Sequence, residues 1–178
     1  MALIENVHPD NAKGRLAQNY QQIENAIGYI PEAFHLFSVS PELFDVQMAT
    51  MAHISSRFNA IFISMLRYFV SEKNRNAFCI GFNEAALVNS GINQDDLRQA
   101  LIHPEMIPLS EHEKRLMLFV LRAIDDPEKI GKEDIDALHK AGWSDQEIYE
   151  ALYMGAHHVA TDVLFNAFKV STSIKTDK

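Results

Sequence analysis

The chain has 178 residues, 47% of them hydrophobic, and a formal charge of −8 with a single cysteine. That length supports one domain with a sizeable core, and the apolar content is too high for a disordered chain. The acidic balance and the lack of any dense Lys/Arg cluster argue against nucleic acid and anionic membrane as partners. The N-terminus MALIENVHPDNAKG has no basic region followed by a long apolar run, and no segment reaches about 18 uncharged apolar residues, so no membrane span and a cytoplasmic location are expected. One cysteine excludes an intramolecular disulfide and any Cys-x-x-Cys zinc or thioredoxin-type site.

Apolar residues recur at three and four positions rather than two, which predicts an all-α fold of about eight or nine helices. A first helix is expected from about Asn11 to Ala26, stopped by Gly28. Pro31 suits the opening of a short helix, and Ser40 before Pro41 suits the cap of the next. Asn59 can cap a helix through Ile61, Met65, Tyr68 and Phe69, after which SEKNRN marks a break. Cys79 then falls in the first turns of a helix ending near Asn89, with Gly91 able to close it. Asn93 starts another short helix, and His103 to Pro108 reads as a proline-punctuated loop, the best candidate linker. Ser110 with Glu113 and Ser144 with Glu147 have capping-box spacing, in which hydroxyl and carboxylate satisfy orphan amides reciprocally. Asp125-Asp126-Pro127 stops the first of these helices, Gly142 stops a short one from about Lys132, and the last helix runs from Asp145 to about Phe168. Its apolar stripe is Ile148, Leu152, Gly155, Val159 and Val163, and the small residues Ala151, Gly155, Ala156 and Ala160 invite close approach of another helix. The expected organisation is one domain over 1–178, with an N-terminal arm 1–57, a centre at 58–102 and a C-terminal helical part 109–170.

Three stretches, GYIPEAFHLFSVSPELF, the helix–break–helix around Cys79, and LSEHEKRLMLFVLRAIDDPEKIGKEDIDALHKAGWSDQEIYEALYMGA, resemble the AhpD-like, carboxymuconolactone decarboxylase superfamily, and within it the peroxidase-related, alkylhydroperoxidase-like branch. The likeness runs from about Asn11 to Val170. It implies an AhpD-like helical bundle, assembly as a dimer, trimer or hexamer, and a redox site built from a glutamate, a Cys-x-x-Cys pair and a histidine. On this chain the glutamate position falls on Ser64, the first cysteine on Asn76, the second on Cys79 and the histidine on Asn83, so one of the four matches.

Thiol-based peroxide reduction needs a thiolate, a proton for the departing oxygen and a second thiol to regenerate the first. Ser64 and Asn83 cannot shuttle protons near neutral pH, and Asn76 cannot resolve a sulfenic acid. The resemblance thus implies a degenerate peroxidase site with reduced, altered or lost activity, in which Ser64, Asn76 and Asn83 line a pocket with Cys79. Phe78, Ile80 and Phe82 would raise the thiol pKa by burying it, whereas a first-turn position would lower it.

His157 and His158, adjacent on the last helix, point about 100° apart and are not expected to face one small site together. Glu150, Met154, His158 and Asp162 recur every four residues, and His158 with Asp162 has spacing that can orient an imidazole or contribute to a metal site. Two ligands do not make a metal centre, so no metal and no cofactor are expected, and a histidine at a subunit contact or in a hydrogen bond is the plainer reading. His53, after Met48 and Met51, is expected to line a core edge. Glu111, Glu113, Asp134, Asp136, Asp145 and Glu147 sit mostly in first helical turns, where the dipole favours negative charge. Two further readings stay open: a one-cysteine hydroperoxide reductase acting through Cys79, and decarboxylase- or lactone-type chemistry or small-ligand binding near His157 and His158.

Overall fold

The computed structural model describes residues 2–170, and within them every regular element is helical. Eight α-helices follow in order: α1 Gly14–Ile27, α2 Pro41–Arg57, α3 Ala60–Asn74, α4 Ala77–Asn89, α5 Gln94–Ile102, α6 Glu111–Asp125, α7 Lys132–Lys140 and α8 Asp145–Ala167. Four 3₁₀ segments link them, at Pro9–Asn11, Glu32–Val39, Pro104–Met106 and Pro127–Lys129. No helix among the described residues is long and apolar enough to cross a membrane.

The punctuation acts largely as its chemistry demands. Ser110 and Ser144 each accept from the amide three residues on while Glu113 and Glu147 reach back, so both capping boxes close. The Asn59 side chain accepts from the Phe62 amide, and Gly28 closes α1 at φ 84. Two expectations need correction. The first α-helix begins at Gly14, because Asn11 belongs to a separate 3₁₀ turn opened by Pro9. Ser40 holds the N-cap position of α2, but its side chain makes no capping bond. The loop at His103–Pro108 carries a 3₁₀ turn and buries Ile107 in the main core.

Helices α3, α6 and α8 form the centre of that core, with Met65, Leu66, Leu116, Met117, Val120 and Ala151 all sealed from solvent. A second apolar cluster joins Ala33, Leu36, Phe78, Cys79 and Phe165, with Phe34, Phe37 and Phe82 packed against it. The segment Glu32–Val39, the start of α4 and the end of α8 therefore meet around the cysteine.

Gly155 explains how α8 approaches α6 so closely. A Cβ at this position would lie 2.7 Å from Val120 Cγ1 and 2.8 Å from Ile124 Cδ1. The small residues Ala151 and Gly155 thus serve an intramolecular contact, whereas Ala156 and Ala160 are exposed. Because Val120 is β-branched and fully buried, it has little freedom to retreat. Gly155→Val is expected to destabilise the fold by about 2–3 kcal/mol through overpacking, read as a lower urea midpoint; an unchanged midpoint would show that the helices separate freely.

Candidate functional site

The tight link between α3 and α4 sets the site. Arg75 closes α3 in the left-handed region at φ 54, and Asn76 follows as the N-cap of α4. The Asn76 side-chain oxygen accepts from the Cys79 amide at 2.9 Å, and its amide group donates to the Asp162 carbonyl at 3.3 Å and to Asn166 at 3.1 Å. Asn76 is therefore a buried cap that fastens α4 to α8. It does not line the cavity beside Cys79. Asn83 does, with its side chain donating to the Cys79 carbonyl at 2.7 Å. Ser64, half-buried one turn before Arg67, lies outside that lining.

The groups that meet the cysteine come from α3 and α8. Cys79 Sγ and ligating atoms of His158 and Asp162 all lie within 4.8 Å of one another, and all three residues are buried. Ser71 stands between the last two: its hydroxyl donates to Asp162 Oδ1 at 3.1 Å and lies 2.9 Å from His158 Nε2. Since the one hydroxyl proton goes to the carboxylate, His158 Nε2 carries the hydrogen and donates to Ser71. Asn74 donates to the other carboxylate oxygen at 3.0 Å. The four-residue stripe Glu150, Met154, His158 and Asp162 is buried throughout. Its far end is a separate structural cluster, since Glu150 takes bonds from Gln146, Arg57 and His53. His53 itself is mostly exposed and serves this cluster rather than a core edge.

A cavity of about 50 Å³ opens at the sulfur. Phe34, Phe37, Phe78, Phe82 and Phe165 supply its apolar walls; Arg67, Cys79, His157 and His158 line it too, with the neutral polar side chains of Gln47, Thr50, Asn83 and Thr161. Both adjacent histidines thus reach one cavity, against expectation. The 100° between them still separates their roles: His158 turns to Ser71, whereas His157 stacks on Tyr153 and also borders a neighbouring surface groove. Sequence reasoning missed Ser71 and Arg67, whose signal was two polar residues four apart on one face of an otherwise apolar run.

Burial dominates the electrostatics of this cluster. Burial, and then the Asp162 carboxylate, push the Cys79 thiol far above its usual range, against smaller opposing effects of Ser71 and Arg67. The first-turn position does not offset that burial. Desolvation, followed by nearby Arg67 and His157, pulls His158 down to about 3. Burial raises Asp162, although Asn74, Cys79 and Ser71 hydrogen bonds oppose the rise. Cysteine, histidine and aspartate are zinc-type donors, but the guanidinium of Arg67 beside the thiol disfavours a second cation here.

The depressed His158 gives a signed prediction. Its folded pKa lies below the unfolded value, so the unfolded chain binds the extra proton, and stability contributed above pH 6.5 is lost as pH falls toward 3. The shift corresponds to at most about 4–5 kcal/mol; the raised Asp162 acts in the opposite sense. His158→Gln is therefore expected to lose less stability than the parent between pH 7 and 4 in urea titrations, and equal losses would contradict a buried neutral imidazole.

No family model matches the chain, and no curated protein does. Solved structures do resemble it. An uncharacterised peroxidase-related protein from Silicibacter sp. TM1040 superposes with TM-score 0.81 at 13% identity, over 98% of this chain and 93% of that one. An AhpD-core, peroxidase-related protein from Ralstonia eutropha JMP134 gives 0.82 at 13%, with the same coverage. A cysteine-to-alanine variant of the debrominase Bmp8, in complex with 2,3,4-tribromopyrrole, gives 0.76 at 15%, again over 98% and 93%. The chain has the fold of the AhpD-like, peroxidase-related proteins.

Proposed function

We propose that this AhpD-like chain has lost the two-cysteine peroxidase cycle and acts as a single-thiol reductase of organic hydroperoxides, with Cys79 as the reacting group. The observation that carries this reading is the buried Cys79–Asp162–Ser71–His158 cluster at the wall of an apolar cavity. It supplies from α3 and α8 the proton path that Ser64 and Asn83 cannot.

In the proposed reaction, Cys79 sulfur attacks one peroxide oxygen, the O–O bond breaks, and the sulfur is oxidised to sulfenic acid while the peroxide is reduced to an alcohol. The thiol proton passes to Asp162, which lies behind the wall. His158 Nε2–H holds the Ser71 hydroxyl on Asp162, and the proton taken by Asp162 is returned to the departing alkoxide, so that the alcohol leaves neutral. One thiol and one hydroperoxide thus yield one sulfenic acid and one alcohol. The chain holds no second cysteine, so an external thiol must condense with the sulfenic acid, releasing water, and a second must reduce the mixed disulfide. The raised thiol pKa keeps Cys79 unreactive until a substrate occupies the cavity.

A second reading is removal of bromine from a halogenated aromatic, the activity that names the Bmp8 neighbour. The stacked Phe78 and Phe82 rings favour it. Bromide release from a bromopyrrole in the presence of thiol, without oxidation of Cys79 by peroxide, would select it.

One equivalent of cumene hydroperoxide is expected to give a dimedone adduct at Cys79, seen by mass spectrometry. Asp162→Asn should slow adduct formation about 100-fold at neutral pH, the lower end of what a positioned proton acceptor contributes. No adduct under excess peroxide, or faster oxidation of the variant, would overturn the assignment.

A further inference from the structure

Arg67 has no use in the fold that the structure shows. It is half-buried on α3, lines the cavity, and takes part in none of the ion pairs or side-chain hydrogen bonds among the described residues. The acid nearest the cavity, Asp162, is held instead by Ser71 and Asn74. Burial lowers the Arg67 pKa with only Cys79 acting to raise it, yet a guanidinium stays charged in proteins. His157 and His158 are kept neutral by burial and by Arg67 itself. The cavity therefore holds one uncompensated positive charge among phenylalanines. A half-buried cation at an apolar wall keeps only part of its hydration, and a bound anion would offset what is lost.

The size of the cavity limits what can enter. About 50 Å³ holds roughly three or four water-sized groups, enough for a carboxylate and a methylene or two. The rest of a larger molecule must leave by the mouth. There the cavity shares Phe37, Gln47, His157 and Thr161 with an open groove of about 360 Å³. Leu36, Val39, Leu43, Val46, Leu164 and Phe168 make that groove strongly apolar, and Leu43 and Val46 are 69% and 61% exposed. A charged end and an apolar channel are thus joined end to end.

We propose that the site binds an amphipathic organic acid, with its carboxylate paired to Arg67 and its hydrocarbon tail lying in the groove. Arginine suits this role because its planar donors match a carboxylate in two-point contact. The inference rests on Cys79 as the reacting group: an acid so placed lies beside the sulfur, which favours hydroperoxides of such acids over neutral ones. Binding itself requires no turnover, so the two readings fail separately.

The test measures calorimetric affinity of the full-length Cys79→Ser chain for decanoate and for decanol, which share a tail and differ in charge. Decanoate is expected to bind at least about tenfold more tightly than decanol. Arg67→Met should abolish that preference while leaving decanol affinity within about twofold, Arg67→Lys should keep part of it, and Leu43→Glu should weaken both ligands. Equal affinity for the two ligands, or a preference that survives Arg67→Met, would overturn the proposal, the first without reference to any Arg67 variant. So would a dimer in light scattering that Leu43→Glu dissociates while decanoate binds neither form, since the groove would then belong to a second copy of the chain. A dimedone adduct at Cys79 with no decanoate preference would leave the thiol chemistry standing and remove only this substrate class.

Discussion

A carboxylate fully withdrawn from water governs this structure. Asp162 on α8 has no solvent exposure, and removing such a group from water costs several kcal/mol unless its oxygens are occupied. Ser71 and Asn74, both on α3, occupy them. The requirement fixes the register of α8 against α3 at one point, while Gly155 sets their common approach to α6. Asn76 then uses the Asp162 backbone carbonyl and the Cys79 amide to tie α4 into the same knot. The sulfur is thereby held next to Asp162 by the packing of three helices rather than by any local motif.

That arrangement gives the thiol a particular character. A redox cysteine poised as thiolate sits in an electropositive, partly open setting; Cys79 is 4% exposed and faces a carboxylate. In the proposed reaction a substrate that brings its own electrophile draws the thiol proton to Asp162. Ser71 and then Arg67 pull the thiol pKa down, each by less than burial and the carboxylate raise it. The site thus combines a buried thiol, a hydrogen-bonded buried carboxylate and a guanidinium that takes part in no ion pair among the described residues. These fit binding of an anion before chemistry better than rapid reaction with free peroxide.

Much of the fold was legible. Ser110 with Glu113 and Ser144 with Glu147 announced two helix starts, since capping is local chemistry written in four consecutive residues. The stripe of Glu150, Met154, His158 and Asp162 was also visible as a period of four. Its meaning was hidden, because the partners lie 87 and more residues away on α3 and no local period encodes which faces meet. Asn76 misled for a different reason: aligned with a lost cysteine, it looked like a remnant, although an asparagine three residues before an amide to be capped is an ordinary N-cap. The groups that meet Cys79 in the structure, Ser71, His158 and Asp162, lie on α3 and α8 rather than at the motif positions Ser64 and Asn83.

The ultraviolet titration of thiolate at Cys79, compared between the parent chain and Asp162→Asn, tests this account most directly. If the buried carboxylate holds the thiol proton, the parent should show no thiolate at neutral or mildly alkaline pH, and the variant should ionise at clearly lower pH. Thiolate already present in the parent at pH 7, or identical curves for the two chains, would contradict it.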